Sequence, residues 1–231
     1  MLLGGLQKLT LIDYPDHLAA TVFTVGCNFC CPFCHNPELV DPQKIKKQPK
    51  FLEKDFFDFL AARQGMLEGV CVTGGEPTLQ ADLPEFIGKI KKLGYLVKLD
   101  TNGSNPGMLE QLLSDGLVNY VAMDIKAPLE KYKKVVGQAI SLENIQRSVE
   151  LTRGALDYEF RTTVLPSLHS KKDLLSIGRW LQGAKKFYLQ QFRPTKTLKA
   201  EYQNEKSFDL EKLIKICNTL KMFFDVCEIR E

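Results

Sequence analysis

Apolar, β-branched runs alternate along the whole chain with segments of helical periodicity. The apolar runs predict strands at about 18–25, 69–73, 95–100, 118–125, 157–164 and 186–191, and a short seventh run, Phe223 to Ile229, could close or extend the sheet. The intervening segments predict helices at about 53–63, 107–114, 141–153 and 171–182, with clearer ones from Asp82 and from about Asp209. Six strand-then-helix units predict an α/β fold, a single-domain partial (βα)6 TIM-like barrel with parallel strands.

The helix that starts at Asp82 has the clearest buried face. Its apolar side chains recur at i, i+3, i+4 and i+7, at Leu83, Phe86, Ile87 and Ile90. Because 3.6 residues make one turn, this spacing puts all four on one side of the helix. We therefore predict that this side packs against the sheet.

Every predicted strand ends in a polar or glycine-rich segment. These segments are the cysteine-rich stretch after Gly26 and residues 73–77, 100–103, 123–126, 161–163 and 190–194. The carboxyl ends of parallel strands open onto one edge of a sheet, and α/β folds build their sites at that edge. The pattern therefore predicts one shared site rather than six separate turns.

Length and composition favour one well-packed domain. The chain has 231 residues, 44% of them hydrophobic, and we predict a single domain over 1–231, with a core at about 16–195 and a C-terminal helix and strand at 208–230. A net charge of +3 indicates neither nucleic acid nor a membrane surface as a partner. No apolar run is long enough to span a bilayer, and residues 1–6 are too short and uncharged for a signal peptide, so we expect a cytoplasmic protein.

Four of the seven cysteines lie within eight residues, at Cys27, Cys30, Cys31 and Cys34. Taken as Cys27, Cys31 and Cys34, they supply three thiolates and leave one metal position open, with Cys30 spare. Taken as two adjoining C-x2-C pairs, they supply four ligands for a closed zinc site. Such zinc sites usually separate the pairs by about a dozen residues or more, so we favour three ligands. A non-catalytic, cysteine-rich metal-binding or redox module is the non-enzymatic alternative.

These motifs resemble those of the radical S-adenosylmethionine enzymes. Residues 27–34 fit the C-x3-C-x-aromatic-C motif of that superfamily, with Phe33 at the aromatic position, and residues 74–77 fit its Gly-Gly-Glu-Pro motif. Three further segments look like the activating enzymes of glycyl-radical proteins, namely residues 34–39, 100–103 and 124–126. Over about residues 5–195 the chain is most similar to anaerobic ribonucleoside-triphosphate reductase activating proteins, and it also resembles pyruvate formate-lyase activating enzymes.

The resemblance implies an enzyme that holds a 4Fe–4S cluster on Cys27, Cys31 and Cys34, its metal ligands and catalytic residues. S-adenosylmethionine would bind at the iron left without a protein ligand, and an electron from a flavodoxin or ferredoxin-type donor would break its sulfonium bond to give a 5′-deoxyadenosyl radical. The radical would take a hydrogen atom from a glycine of a partner glycyl-radical enzyme under anaerobic conditions. A small molecule, a nucleic-acid base or a peptide is the alternative substrate.

The resemblance also implies the residues that contact S-adenosylmethionine. Gly74, Gly75 and Glu76 are expected to receive its ammonium group, because glycine lets backbone carbonyls come close and a carboxylate accepts from a cation. Lys126 is expected to meet its carboxylate or a hydroxyl. Phe33 is expected to pack beside the adenine.

A second group of polar residues resembles the monovalent-cation site of pyruvate formate-lyase activating enzymes, namely Asp100, Thr101 and Asp124. Two carboxylates near one mouth need a cation or a proton to relieve their repulsion. Asp124 and Lys126 lie two apart on a strand and so point to the same side, where a simple ion pair is the structural alternative. Arg161 is expected to contact the cofactor or the substrate glycine.

Residues outside these motifs have simpler interpretations. His35 is expected to order its loop by hydrogen bonding rather than to act as a base. The lysines at 44, 46, 47 and 50 are expected to form a solvated loop, with a docking patch for an acidic electron donor as the alternative.

Overall fold

In a computed structural model that describes residues 1–49 and 51–230, eight strands form one sheet whose order follows the chain. The strands are β1 (Leu3–Thr10), β2 (Ala19–Thr24), β3 (Gly69–Gly74), β4 (Leu96–Thr101), β5 (Tyr120–Asp124), β6 (Asp157–Val164), β7 (Lys186–Gln191) and β8 (Val226–Arg230). β1 runs antiparallel to β2, and each pairing from β2 to β8 is parallel. Among the described residues β1 and β8 are not paired with each other, so the sheet is a partial, open barrel.

Helices connect the parallel strands. The described part of the chain contains α1 (Pro37–Val40), α2 (Pro42–Ile45), α3 (Glu53–Ala61), α4 (Leu83–Lys92), α5 (Pro106–Ser114), α6 (Tyr132–Val136), α7 (Leu142–Arg153), α8 (Lys171–Trp180) and α9 (Leu210–Leu220). Short 3₁₀ helices lie at Pro77–Leu79, Leu129–Lys131, Ala200–Asn204 and Lys221–Phe223. None of the helices in these residues is both long enough and apolar enough to cross a bilayer.

Side-chain caps fix the starts of the three last helices. The side chain of Ser141 accepts a hydrogen bond in the first turn of α7, and Asp209 does the same in α9. Ser170 and Asp173 form a reciprocal capping box at the start of α8. Such caps stabilise a helix because they satisfy N–H groups that the first turn leaves without partners.

The core fills the space between the sheet and its helices. The predicted face of α4 is confirmed, since its four apolar side chains are each at most 1% exposed. Phe86 of α4 stacks on Phe56 of α3 with 5.3 Å between ring centroids. Val70, Cys71 and Val72 of β3 are fully buried, as expected for a parallel strand that is covered on both faces.

The structure confirms the predicted α/β partial barrel with parallel strands. All six predicted strands are present, and the run after Phe223 extends the sheet as β8 beside β7. β1 is an addition that the hydrophobic pattern did not predict. Gly4 and Gly5 interrupt its apolar run, and only Leu3 and Thr10 are buried, so β1 lacks the alternation that marks a half-buried strand.

Candidate active site

A cavity of about 260 Å³ opens at the carboxyl edge of the sheet. Residues in or just after the carboxyl-terminal parts of β2, β3, β4, β5, β6 and β7 contribute to its lining. Every residue that the sequence analysis assigned to the site lies in this lining. The expectation of one shared site at the strand ends is therefore met in the geometry, while the chemical role of each residue stays a prediction.

Three of the four clustered cysteines face the cavity. Cys31 is buried, and Cys27 and Cys34 are partly buried, whereas Cys30 is exposed and lies outside the cavity lining that the described residues form. The loop holds Cys30 in this position through its main-chain N–H, which donates to the carbonyl of Val136 over 2.9 Å. The loop therefore presents three thiols to one space and turns the fourth away.

Burial of the three cavity thiols favours their neutral form. Burial raises the pKa of Cys27 and Cys31 to about 12, and it also raises the pKa of Cys34. Thiolate ligands must lose their protons when metal binds, so filling this site would release protons.

The donor set fits a cluster of several irons better than a single ion. Within residues 1–49 and 51–230, no three His, Cys, Asp or Glu side chains converge closely enough to hold one metal ion. A closed zinc site needs four converging ligands, whereas a 4Fe–4S cluster spreads its thiolates over separate irons. Three thiols around one cavity fit a 4Fe–4S cluster with one iron free of protein ligands.

The turn after β3 lies directly against the start of the cysteine loop. Gly74 has a φ of +119°, a conformation that side chains rarely adopt. A Cβ on Gly75 would collide with the carbonyl oxygen of Gly26. The N–H groups of Gly75 and Glu76 donate to the carbonyls of Thr24 and Gly26 over 2.9 and 2.7 Å. Both glycines are therefore required by the close contact between two loops.

Glu76 joins the loops after β3 and β4. Its side chain is 1% exposed, and Oε1 accepts hydrogen bonds from the main chain of Thr78 at 3.1 Å and the hydroxyl of Thr101 at 2.8 Å. Oε2 accepts from the main-chain N–H of Asn102 at 2.6 Å. Burial raises the pKa of Glu76, although these donors oppose the shift. Both oxygens of this carboxyl group are thus engaged within the protein.

Asn102 lines the cavity although the sequence analysis did not assign it to the site. Its Nδ2 donates to Oδ1 of Asn28 over 3.0 Å and lies 3.8 Å from the sulfur of Cys27. It therefore links the loop after β4 to the cysteine loop. The sequence could have indicated this role, because Asn102 directly follows Asp100 and Thr101 at the same strand end.

Arg161 bridges the two aspartates of the site. Its Nε donates to Asp124 Oδ1 over 2.9 Å, and its Nη1 donates to Asp100 Oδ2 over 3.2 Å. Lys126 Nζ binds the other oxygen of Asp124 at 3.0 Å, so the ion pair expected from their spacing is present. Burial opposes ionisation of Asp124, but the charges of Arg161 and Lys126 outweigh it and lower its pKa to about 2.

Two buried charged residues extend this network beyond the predicted set. Lys98 is 1% exposed and forms an ion pair with Asp100. Glu159 is fully buried and accepts from both terminal nitrogens of Arg230 at 2.7 and 2.8 Å and from Tyr120 at 2.8 Å. The signal that reveals Lys98 is its spacing of two from Asp100, which places both side chains on one face of β4.

His35 orders the mouth of the cavity, in agreement with its interpretation from sequence. Its Nε2 lies 3.0 Å from the carbonyl oxygen of Arg193, and its ring stacks on Phe192 at 5.1 Å. Burial lowers the pKa of His35. A second cavity of about 300 Å³ adjoins the first here and shares His35, Thr163 and Gln190 with it.

Known proteins match the chain over most of its length. The profile of the Radical SAM superfamily matches residues 21–175. A Methanocaldococcus jannaschii protein whose name places it among glycyl-radical enzyme activating enzymes is 33% identical over 239 residues, 99% of this chain and 95% of that protein. The pyruvate formate-lyase-activating enzyme of Clostridium pasteurianum is 30% identical over 184 residues, 73% of this chain and 71% of that enzyme.

The likeness to solved structures is one of fold. Streptococcus suis SuiB, in a crystal structure with the precursor peptide SuiA, has a TM-score of 0.67 at 12% identity. The match covers 90% of this chain and 47% of the SuiB chain. This chain therefore corresponds to about half of that larger protein.

Proposed function

This chain belongs to the radical SAM superfamily, and from that premise we propose that it forms a glycyl radical on a partner enzyme. Its relatives at 33% and 30% identity carry the names of activating enzymes of this kind. The observation that carries the proposal is the cavity itself, where three thiols face glycines and polar or charged side chains from five other strand ends. Such convergence on one edge is typical of an α/β active site.

Cys27, Cys31 and Cys34 would hold the 4Fe–4S cluster that enzymes of this superfamily use. Cys30 points to solvent, so one iron would keep a position free for S-adenosylmethionine. When bound, the cluster and S-adenosylmethionine supply one-electron cleavage of the sulfonium bond and the carbon radical that removes a hydrogen atom. Cys31 and Phe33 are buried in the loop and would shield this chemistry from water.

The remaining residues would position the cofactor. Gly74 and Gly75 line the cavity and would present main-chain groups to the ammonium group. Both oxygens of Glu76 already accept hydrogen bonds, so we assign this residue to holding the loops around the ligand. Lys126 and Arg161 line the cavity and would offer positive charge to the cofactor carboxylate, or in the case of Arg161 would contact the substrate glycine.

A protein loop as substrate fits the shape of the site. The second cavity continues outward from the first and is lined by Arg193 and Arg230 together with polar side chains. A flexible glycine loop of the partner would enter along it. We propose anaerobic ribonucleoside-triphosphate reductase as this partner, because the chain resembles its activating proteins from about residue 5 to residue 195.

An acidic flavodoxin or ferredoxin-type protein is the proposed electron donor. Lys44, Lys46 and Lys47 are exposed on and after α2, shortly beyond the cysteine loop, while Lys50 lies outside the described residues. Exposed positive charge speeds the encounter with an acidic partner. The clustered free thiols also suit a reducing compartment, in keeping with the expected cytoplasmic location.

The test is anaerobic incubation of the reconstituted protein with reductant, S-adenosylmethionine and the reductase of the same organism. We expect an electron-spin-resonance doublet of a glycyl radical, formed together with 5′-deoxyadenosine. A reductase whose radical glycine is replaced by alanine is the matched control and should give no doublet. Absence of the doublet with every glycyl-radical enzyme of the organism, or 5′-deoxyadenosine formed with a non-protein product, would overturn the proposal.

A further inference from the structure

A lysine side chain lies buried beneath the candidate cofactor site. Lys98 extends from β4, opposite Cys71 of β3 and Tyr120 of β5, and is 1% exposed. Its Nζ forms an ion pair with Asp100, lies 3.8 Å from the sulfur of Cys71 and sits 5.8 Å from the centre of the Tyr120 ring. Burial raises the pKa of Cys71 and so favours its neutral thiol. Burial opposes ionisation of Asp100 too, but the charges of Arg161 and Lys98 outweigh it and lower the pKa of Asp100, which favours the carboxylate as the partner of Lys98.

All four carboxylate oxygens of Asp100 and Asp124 have a positively charged partner. Lys98 binds Oδ1 of Asp100, and Arg161 binds Oδ2 of Asp100 and Oδ1 of Asp124. Lys126 binds the remaining oxygen of Asp124. The hydroxyl of Thr101 is also engaged, because it donates to Glu76 over 2.8 Å.

The charge of this cluster disfavours another cation. Three side-chain cations face the two aspartates, and Arg161 also lies 3.8 Å from Glu159, which pairs with Arg230. Among these seven side chains, four cations meet three carboxylates before any ion binds. The monovalent cation expected from the resemblance would enter a site where its ligands are engaged and the charge is already compensated.

We propose that Lys98 takes the place of a monovalent cation at this site, neutralising Asp100 with a covalently attached ammonium group. The chain would then need neither K⁺ nor Na⁺ to keep Asp100 and Asp124 ionised side by side. The inference rests on the proposed function only in assigning this cavity to S-adenosylmethionine. The ion pairs of Asp100 and Asp124 are present whatever ligand the cavity binds. The test therefore measures thermal unfolding, which requires neither cofactor nor partner.

The experiment compares thermal unfolding of the full chain in KCl, NaCl and choline chloride at equal ionic strength. Wild-type protein should unfold at the same temperature in all three salts. Lys98→Met removes the charge while keeping the length of the side chain, and in choline its Tm should fall by roughly 10 °C, as expected when one partner of a buried pair is lost. K⁺ or Na⁺ should restore much of this loss in a saturable manner.

Two further variants keep the test decisive. Lys98→Met combined with Asp100→Asn removes both charges and should be indifferent to the salt. Lys98→Arg keeps the charge and should behave like the wild type towards the three salts. If Lys98→Met does not fold, the wild-type protein alone still tests the proposal. A wild-type Tm that rises in a saturable manner with K⁺ or Na⁺, relative to choline, would overturn it. A folded Lys98→Met protein with equal Tm in all three salts would overturn it as well.

Discussion

The main-chain N–H of Asn102 donates to the buried carboxyl group of Glu76 over 2.6 Å. This bond joins the loop after β4 to the turn after β3. The side chain of the same Asn102 reaches the cysteine loop through Asn28. Hydrogen bonds of Glu76 and Asn102 therefore hold the carboxyl ends of β2, β3 and β4 together before any ligand binds.

Replacing Glu76 by glutamine should destabilise the protein. Both oxygens of Glu76 accept main-chain N–H groups, so an amide nitrogen would face one of those donors and leave it unsatisfied. We expect a loss of roughly 1–3 kcal/mol in the free energy of unfolding, measured by urea denaturation. Glu130→Gln, at an exposed position, is the control and should change stability by less than about 0.5 kcal/mol. Equal effects of the two substitutions would contradict the role given to Glu76.

Two glycine substitutions should have opposite effects. Gly75→Ala places a methyl group against the carbonyl oxygen of Gly26, and rigid backbone on both sides leaves it no room. We expect it to cost about 3 kcal/mol and to weaken cluster retention, because the collision lies at the base of the cysteine loop. Gly88→Ala lies in α4 with open space around it and should gain about 0.5–1 kcal/mol through helix propensity. Urea unfolding measures both, and a neutral Gly75→Ala would be evidence against this close contact.

The ion pairs of Asp124 should make the protein acid-sensitive. The folded-state pKa is about 2, below the ordinary value of 3.8, so the unfolded chain binds a proton first as the pH falls. Stability is then complete above about pH 4 and declines towards pH 2, by about 2 kcal/mol for this group. Asp124→Asn should show a correspondingly shallower decline when denaturant unfolding is repeated across this pH range. Identical slopes for the two proteins would show that Asp124 is not the group responsible.

Single alanine substitutions should separate the cysteines into two classes. Cys27→Ala, Cys31→Ala and Cys34→Ala should each lose the stable four-iron cluster, because each removes a thiol that faces the cavity. Cys30→Ala should keep it, since that side chain points to solvent. Iron and sulfide analysis after anaerobic reconstitution should give about four of each per chain for the wild type and Cys30→Ala. Loss of the cluster in Cys30→Ala would support four-cysteine ligation instead.

Much of the fold could be predicted because its signals are local. The apolar runs of the parallel strands are buried on both faces, so hydrophobicity marks them directly, and their polar ends converge through topology. β1 was not predicted because it is an edge strand in which Gly4 and Gly5 have no side chains to contribute to a hydrophobic pattern. Its place is set by pairing with β2 rather than by its own residues.

Only part of the charged network could have been predicted from the sequence. Lys98 stands two residues before Asp100, so the argument that paired Asp124 with Lys126 applies to it equally and could have found it. Glu159 and Arg230 are 71 residues apart, and only the packing of β8 beside β7 brings them together. The pairing of charged side chains on different strands depends on how the strands pack, and the separation of the residues in the sequence does not reveal it.

In the described part of the chain, β1 and β8 are the two edge strands of the sheet and are not hydrogen-bonded to each other, which leaves a seam in the barrel. A closed barrel widens only by breaking hydrogen bonds between strands, whereas this sheet can spread at its seam with each ladder intact. Admitting a bulky polypeptide would therefore cost elastic bending rather than lost backbone bonding.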